Sequence, residues 1–145
     1  MRLLFFTILT FIFIGCTPKA GPNYFHSINN VPKDIRITNL NIIADDIVNF
    51  ISSRKTPNDT IIYLYTQDKD KSFFDYLSNK FRQKGYAITE NQDKKNLTFS
   101  SYIIQKENNL LLVTYNFNES KINRIYIVEN NKIISSGPIS TFNLD

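Results

Sequence analysis

Residues 97–136 read LTFSSYIIQKENNLLLVTYNFNESKINRIYIVENNKIISS, and their periodicity decides the fold. Leu111, Val113, Tyr115 and Phe117 alternate with Leu112, Thr114 and Asn116, the two-residue repeat of a half-buried antiparallel strand over Asn109 to Asn118. Further strand segments lie on either side, Leu97 to Lys106 and Ile122 to Glu129. The polar groups Glu107-Asn108 and Glu119-Ser120-Lys121 separate them as turns. Asn130-Asn131, between Ile127-Val128 and Ile133-Ile134, predicts a tight hairpin, because asparagine tolerates positive φ. A meander of antiparallel strands is the result.

Moving towards the N-terminus, the period changes. Phe73, Leu77 and Phe81 form an i, i+4, i+8 stripe widened by Phe74, which predicts a helix from about Ser72 to Lys84. Ser72 with Asp75 three residues on approximates a capping box, and Gly85 is placed to end the helix in a left-handed turn. Tyr86 to Glu90 then reads as a short strand. Thr60 to Tyr65 is rich in β-branched and aromatic residues and reads as an interior strand. Leu40, Ile43, Ala44, Ile47, Phe50 and Ile51 recur at steps of three and four, the face of another helix, capped by Thr38 or Asn39 and bounded by Pro57. Asp45 and Asp46 fall on its polar side, where the expectation is a solvated face. The fold expected is α+β: two helices packed on one face of a mainly antiparallel sheet of about five or six strands, in a single domain over residues 35–145.

Composition narrows the chemistry. The chain has 145 residues and a formal charge of +4, with one cysteine, Cys16, and one histidine, His26. An intrachain disulfide is excluded, and a zinc site or a Cys/His nucleophile system lacks its residues. His26 falls in a polar linker. Four glycines supply no phosphate-binding loop, and lysines interleave with Asp68, Asp70 and Asp75 without forming a basic face. The expectation is a protein that is not an enzyme, with no catalytic residues, no metal, no cofactor beyond a covalent lipid, and no nucleic-acid partner. Asn58, Asn96 and Asn118 open Asn-x-Ser/Thr triplets, which in so asparagine-rich a chain arise by chance.

The first residues give a compartment. Met1-Arg2, the apolar run Leu3 to Ile14 and then Gly15-Cys16 describe an export signal over residues 1–15. The run is too short for a comfortable membrane span. Phe13-Ile14-Gly15-Cys16 resembles the bacterial lipobox, cut between Gly15 and Cys16, in which the cysteine thiol takes a diacylglyceryl group and palmitate-type chains anchor the new N-terminus. Residues 16–34 follow as a lipidated flexible tether, punctuated by Pro18, Gly21, Pro22, Asn29, Asn30 and Pro32. Thr17 stands where Asp favours retention at the inner membrane. By that resemblance the chain is an outer-membrane lipoprotein whose globular part faces the periplasm.

The order of these parts resembles the conjugal-transfer lipoproteins of the TrbH type. The likeness runs through Ala44-Asp45-Asp46, the strand after Pro57, and Phe73-Phe74 with Leu77. Arg82-Gln83-Lys84-Gly85-Tyr86-Ala87 and the late Gly137-Pro138 complete it. The family tends to carry a tryptophan shortly after that glycine, and this chain has none. The resemblance implies a structural, accessory part in a conjugation or type IV secretion apparatus. Its partners are the membrane, through Cys16, and secretion-channel or other envelope proteins. The strand Lys132 to Ser136 is the candidate edge for such contacts. The alternative is a free-standing periplasmic binding or entry-exclusion lipoprotein that acts on an envelope ligand or an incoming partner, which a ligand-sized pocket lined by tyrosines would favour.

Overall fold

The computed structural model describes residues 25–32, 37–69 and 71–143, with the side chains of residues 37–39 excepted. The described elements are, in chain order, β1 (Ile28–Asn30), α1 (Ile37–Ser52), β2 (Ile61–Leu64), α2 (Ser72–Gln83), β3 (Ala87–Thr89), β4 (Leu97–Glu107), β5 (Leu110–Phe117), β6 (Ser120–Glu129) and β7 (Lys132–Phe142). The α+β class stands. The sheet, however, has seven strands and is mixed, where five or six mainly antiparallel strands were expected. Its order is β3-β2-β4-β5-β6-β7, and β1 pairs with β4 beside this path.

The parallel half explains the difference. β2 runs parallel to both β3 and the first part of β4, from Ile61↔Leu97 to Leu64↔Ser100. β1 then takes over along the same side of β4, from Ile28↔Ile103 to Asn30↔Gln105. Three bonds hold the handover. Ser27 N–H donates to the Tyr65 carbonyl at 3.2 Å, Thr66 Oγ1 donates to the Ser27 carbonyl at 3.1 Å, and Tyr102 N–H donates to Ser27 Oγ at 3.3 Å. The expectation of a tether through residue 34 is therefore corrected for Phe25 to Asn30, which are built into the sheet. Polar residues such as Asn29 and Asn30 carry no apolar period, so the sequence hid a strand held by backbone bonds. Asn29 N–H even takes its partner from another loop, donating to Asp68 Oδ2 at 2.8 Å.

Both helices cover one face. Ile43, Ala44 and Ile51 of α1 and Leu77 and Phe81 of α2 are wholly buried, against Ile62, Leu64, Tyr102, Ile104, Leu111 and Tyr115 of the sheet. Each such side chain contributes on the order of 1.5–3 kcal/mol of transfer free energy, so this layer holds most of the stability. α1 begins at Ile37, so Thr38 and Asn39 lie inside its first turn and not ahead of it. At α2 the N-cap residue is Lys71, so Ser72 stands inside the first turn of the helix and not ahead of it.

The end of α2 is as the sequence requires. Gly85 has φ +92°, Tyr86 N–H donates to the Phe81 carbonyl at 3.1 Å and Gly85 N–H to the Arg82 carbonyl at 2.9 Å. These are the two bonds of a Schellman motif, and its apolar contact is the Phe81–Tyr86 ring pair at 5.5 Å. The Tyr86 hydroxyl donates to the Lys55 carbonyl, fastening this corner to the chain that leaves α1.

Asparagine shapes the meander. Every described non-glycine residue with positive φ is Asn: Asn96, Asn108, Asn118, Asn130, Asn131 and Asn143. Asn130-Asn131 joins Glu129 to Lys132 with both φ positive, the backbone of a type I′ hairpin. β7 continues past Ser136, where the sequence reading stopped it. Asn123 faces Ser140 and Ile125 faces Ser136, so Gly137, Pro138 and Ile139 stand opposite Arg124 alone. A proline at a bulge in an edge strand removes no needed donor, which is why Gly137-Pro138 does not end the strand.

Candidate functional site

Cys16 and Gly15 lie outside the described residues, so the anchor site has no geometry to report. The remaining candidates from the sequence fall in three places.

The first is the aspartate pair. Asp45 and Asp46 project about 100° apart from α1, and each meets a different element. Asp45 takes Lys80 Nζ at 3.0 Å and the Tyr76 hydroxyl at 3.4 Å on α2. Asp46 takes Arg124 at 2.9 Å and the Tyr126 hydroxyl at 3.0 Å on β6. Hydrogen bonding to Tyr76, then to Asp45, raises the Lys80 pKa. Burial, then the Asp46 charge, raises that of Tyr126. The solvated face read from the sequence is corrected: the pair bolts α1 to α2 and to the sheet. Its carboxylates diverge to separate cations, which is a clamp and not an acid/base pair.

The second is a cavity beside this clamp, bordered by Phe50, Tyr115, Arg124, Tyr126 and Ile139. Its volume is about 10 Å³, room for a single water and not for an organic ligand. His26, which the sequence placed in a linker, stands edge-on to Tyr65 with ring centroids 6.0 Å apart. Among the described residues, no three His, Cys, Asp or Glu side chains are grouped to hold a metal.

The third is the sheet itself. Among the described residues its last strand on one side is β7, with Lys132 to Ser136 paired to β6 alone, so the strand expected at the edge stands at the edge. The helix-free face is the feature that sequence reading missed. Leu110↔Ile127↔Ile134 and Leu112↔Ile125 share this face by register, and Ile28↔Ile103 extends it. The signal was present: Leu110-Leu111-Leu112-Val113 and Ile125-Tyr126-Ile127-Val128 are apolar in both phases of the two-residue repeat. A strand with one solvated face has no need of that.

Among the described residues this arrangement offers surfaces and an edge. A family model, Conjugal transfer protein TrbH, matches residues 21–144. The chain belongs to the TrbH family. The match takes in every described element of the TrbH domain, from β1 to β7. No curated protein and no solved structure matches the chain. Two segments singled out in the sequence have structural work in this member. Arg82 to Ala87 makes the Schellman corner, and Gly137-Pro138 makes the bulge of β7.

Proposed function

We propose that this TrbH protein is an accessory, non-catalytic component of a conjugation or type IV secretion apparatus, anchored in the outer membrane through lipidated Cys16 and acting through protein contacts. Membership of a conjugal-transfer family carries the reading. The signal and lipobox-like sequence at residues 1–16 supports the anchor. The free edge of β7 supports the mode of contact, since an unpaired row of backbone donors and acceptors can take a strand from a partner.

Cys16→Ser tests the anchor. The cysteine precedes every described element, so the variant is expected to fold, to lose its lipid and to leave the membrane fraction. Gentle cross-linking of native outer membranes should then recover envelope proteins with the wild type and far less with Cys16→Ser. A wild type that purifies alone from cells with an assembled transfer apparatus would refute the assembly role.

A further inference from the structure

Among the described residues the two faces of the sheet differ in cover: one carries α1 and α2, and the other carries no helix. Ile125 is 44% exposed and Ile134 50%, and by register they lie with the half-buried Leu110, Leu112 and Ile127 at one end of this face, while Ile28, 39% exposed, stands beside Ile103. Phe142, 65% exposed, lies on the same face at the far end of β7, opposite Lys121. Patches of this kind mark interaction sites.

The chain outside the described structure says which surface this one meets. Phe25 stacks on Phe99 at 5.5 Å. Phe99 and Ile103 share a phase of β4, whereas Tyr102, of the other phase, meets Phe73 of α2 at 4.9 Å. The chain therefore enters the domain on the helix-free face. Only eight residues separate Cys16 from Phe25, nine Cα–Cα steps. That many steps span at most about 30 Å. An anchor at Cys16 thus keeps the point where the chain enters, on the helix-free face, within about 30 Å of the bilayer.

We propose that the helix-free face of the sheet rests on the lipid surface to which Cys16 anchors the chain. The proposal rests on the lipoprotein reading above. Isoleucines and Phe142 enter the boundary between headgroups and acyl chains, as the apolar side of an interfacial element does. The border charges are mixed, with Lys121 and Lys132 against Glu107 and Glu129. Apolar area therefore carries the contact, and added salt should barely weaken it. In this pose the helices face the periplasm and the β7 edge lies along the membrane surface, open to a partner strand from the side.

The test uses the full-length chain purified from membranes and reconstituted in vesicles of phosphatidylethanolamine and phosphatidylglycerol. Mass spectrometry of the N-terminal peptide first reads the modification of Cys16. With that thiol taken up by lipid, Ile134→Cys and Gln83→Cys each accept one environment-sensitive fluorophore, on the sheet face and on exposed α2. The expected result at position 134 is blue-shifted emission, at least a two-fold quench by spin-labelled lipid, and shielding from aqueous iodide. Position 83 should show the opposite of each. Equal iodide quenching at both positions overturns the proposal. Shielding at 134 without lipid quenching also overturns it, and assigns the face to a second copy of the chain. An unmodified Cys16 removes the lipoprotein reading and the proposal with it, and the mass alone tells that failure from the others.

Discussion

The two faces of one sheet obey different rules. On the covered face Tyr102, Ile104, Leu111, Tyr115 and Tyr126 are buried beneath α1 and α2, and their volumes are set by the helices they meet. On the other face Thr114, Asn116 and Asn123 form the middle, tied by Thr114 Oγ1 donating to Asn123 Oδ1 at 2.8 Å and Asn116 Nδ2 to Ser101 Oγ at 3.0 Å. The apolar residues sit at its ends. Stability is concentrated on the first face, which leaves the second free to carry residues that folding does not demand. The same division follows β4: its even-numbered side chains serve the core, and its odd-numbered ones meet the N-terminal segment and the outside.

The sharpest way to break this comparison is one truncation on each face. Phe81 of α2 is fully buried and packs on Tyr86 and Tyr115. Phe81→Ala should cost about 3–5 kcal/mol in urea unfolding, the usual range for a large buried aromatic. Ile134→Ser on the open face should stay within about 0.5 kcal/mol. A loss above about 2 kcal/mol for Ile134→Ser would show that this face is part of the fold's own core and not a surface.

The aspartate pair gives a second, smaller contrast. Asp46 holds Arg124, whose side chain is 20% exposed, whereas Asp45 holds Lys80, whose side chain is 32% exposed. Asp46→Asn leaves the guanidinium beneath α1 without its counter-charge and should cost about 1–3 kcal/mol. Asp45→Asn removes an exposed ion pair and should cost less than about 1 kcal/mol. Equal losses in paired denaturation curves would mean that burial of the cation does not set the difference.

Much of this was legible from sequence where one local rule dominates. The stripe Phe73–Leu77–Phe81 specified α2, and Gly85 specified its end, because helix period and left-handed termination are local. The three hairpins of the meander were legible for the same reason. What escaped is held by distant partners. β1 exists because Ser27, Asn29 and Asn30 meet β4, Tyr65 and Asp68, and no period in Phe25 to Asn30 records that. The clamp escaped because a helical wheel places Asp45 and Asp46 on a polar side but not opposite Lys80 and Arg124. Cys16 was singled out by motif alone, and it lies outside the described residues. The open face was half legible: doubled apolar phases in β5 and β6 state that both faces are apolar, but not which one the helices leave bare.

At neutral pH the tyrosines of the covered face add no further contrast, but alkali should draw one out. Burial raises the pKa of Tyr115 and, with the Asp46 carboxylate, that of Tyr126, both from an ordinary value of 10.0. An acid whose pKa rises on folding binds its proton more tightly in the native state. Its contribution is therefore complete below pH 10, where both states are protonated. It is lost as pH climbs from 10 towards the folded value, because the unfolded chain ionises first. The melting temperature should hold level up to about pH 9.5 and then fall. Absorbance of tyrosinate should show Tyr115 and Tyr126 ionising only as the domain unfolds. Tyr126→Phe, which removes one such group together with its bond to Asp46, should lower stability at pH 7 and flatten the alkaline fall. A single smooth titration of all eight tyrosines near pH 10 with the domain still folded would mean that water reaches the covered face, and the distinction between the two faces would be lost.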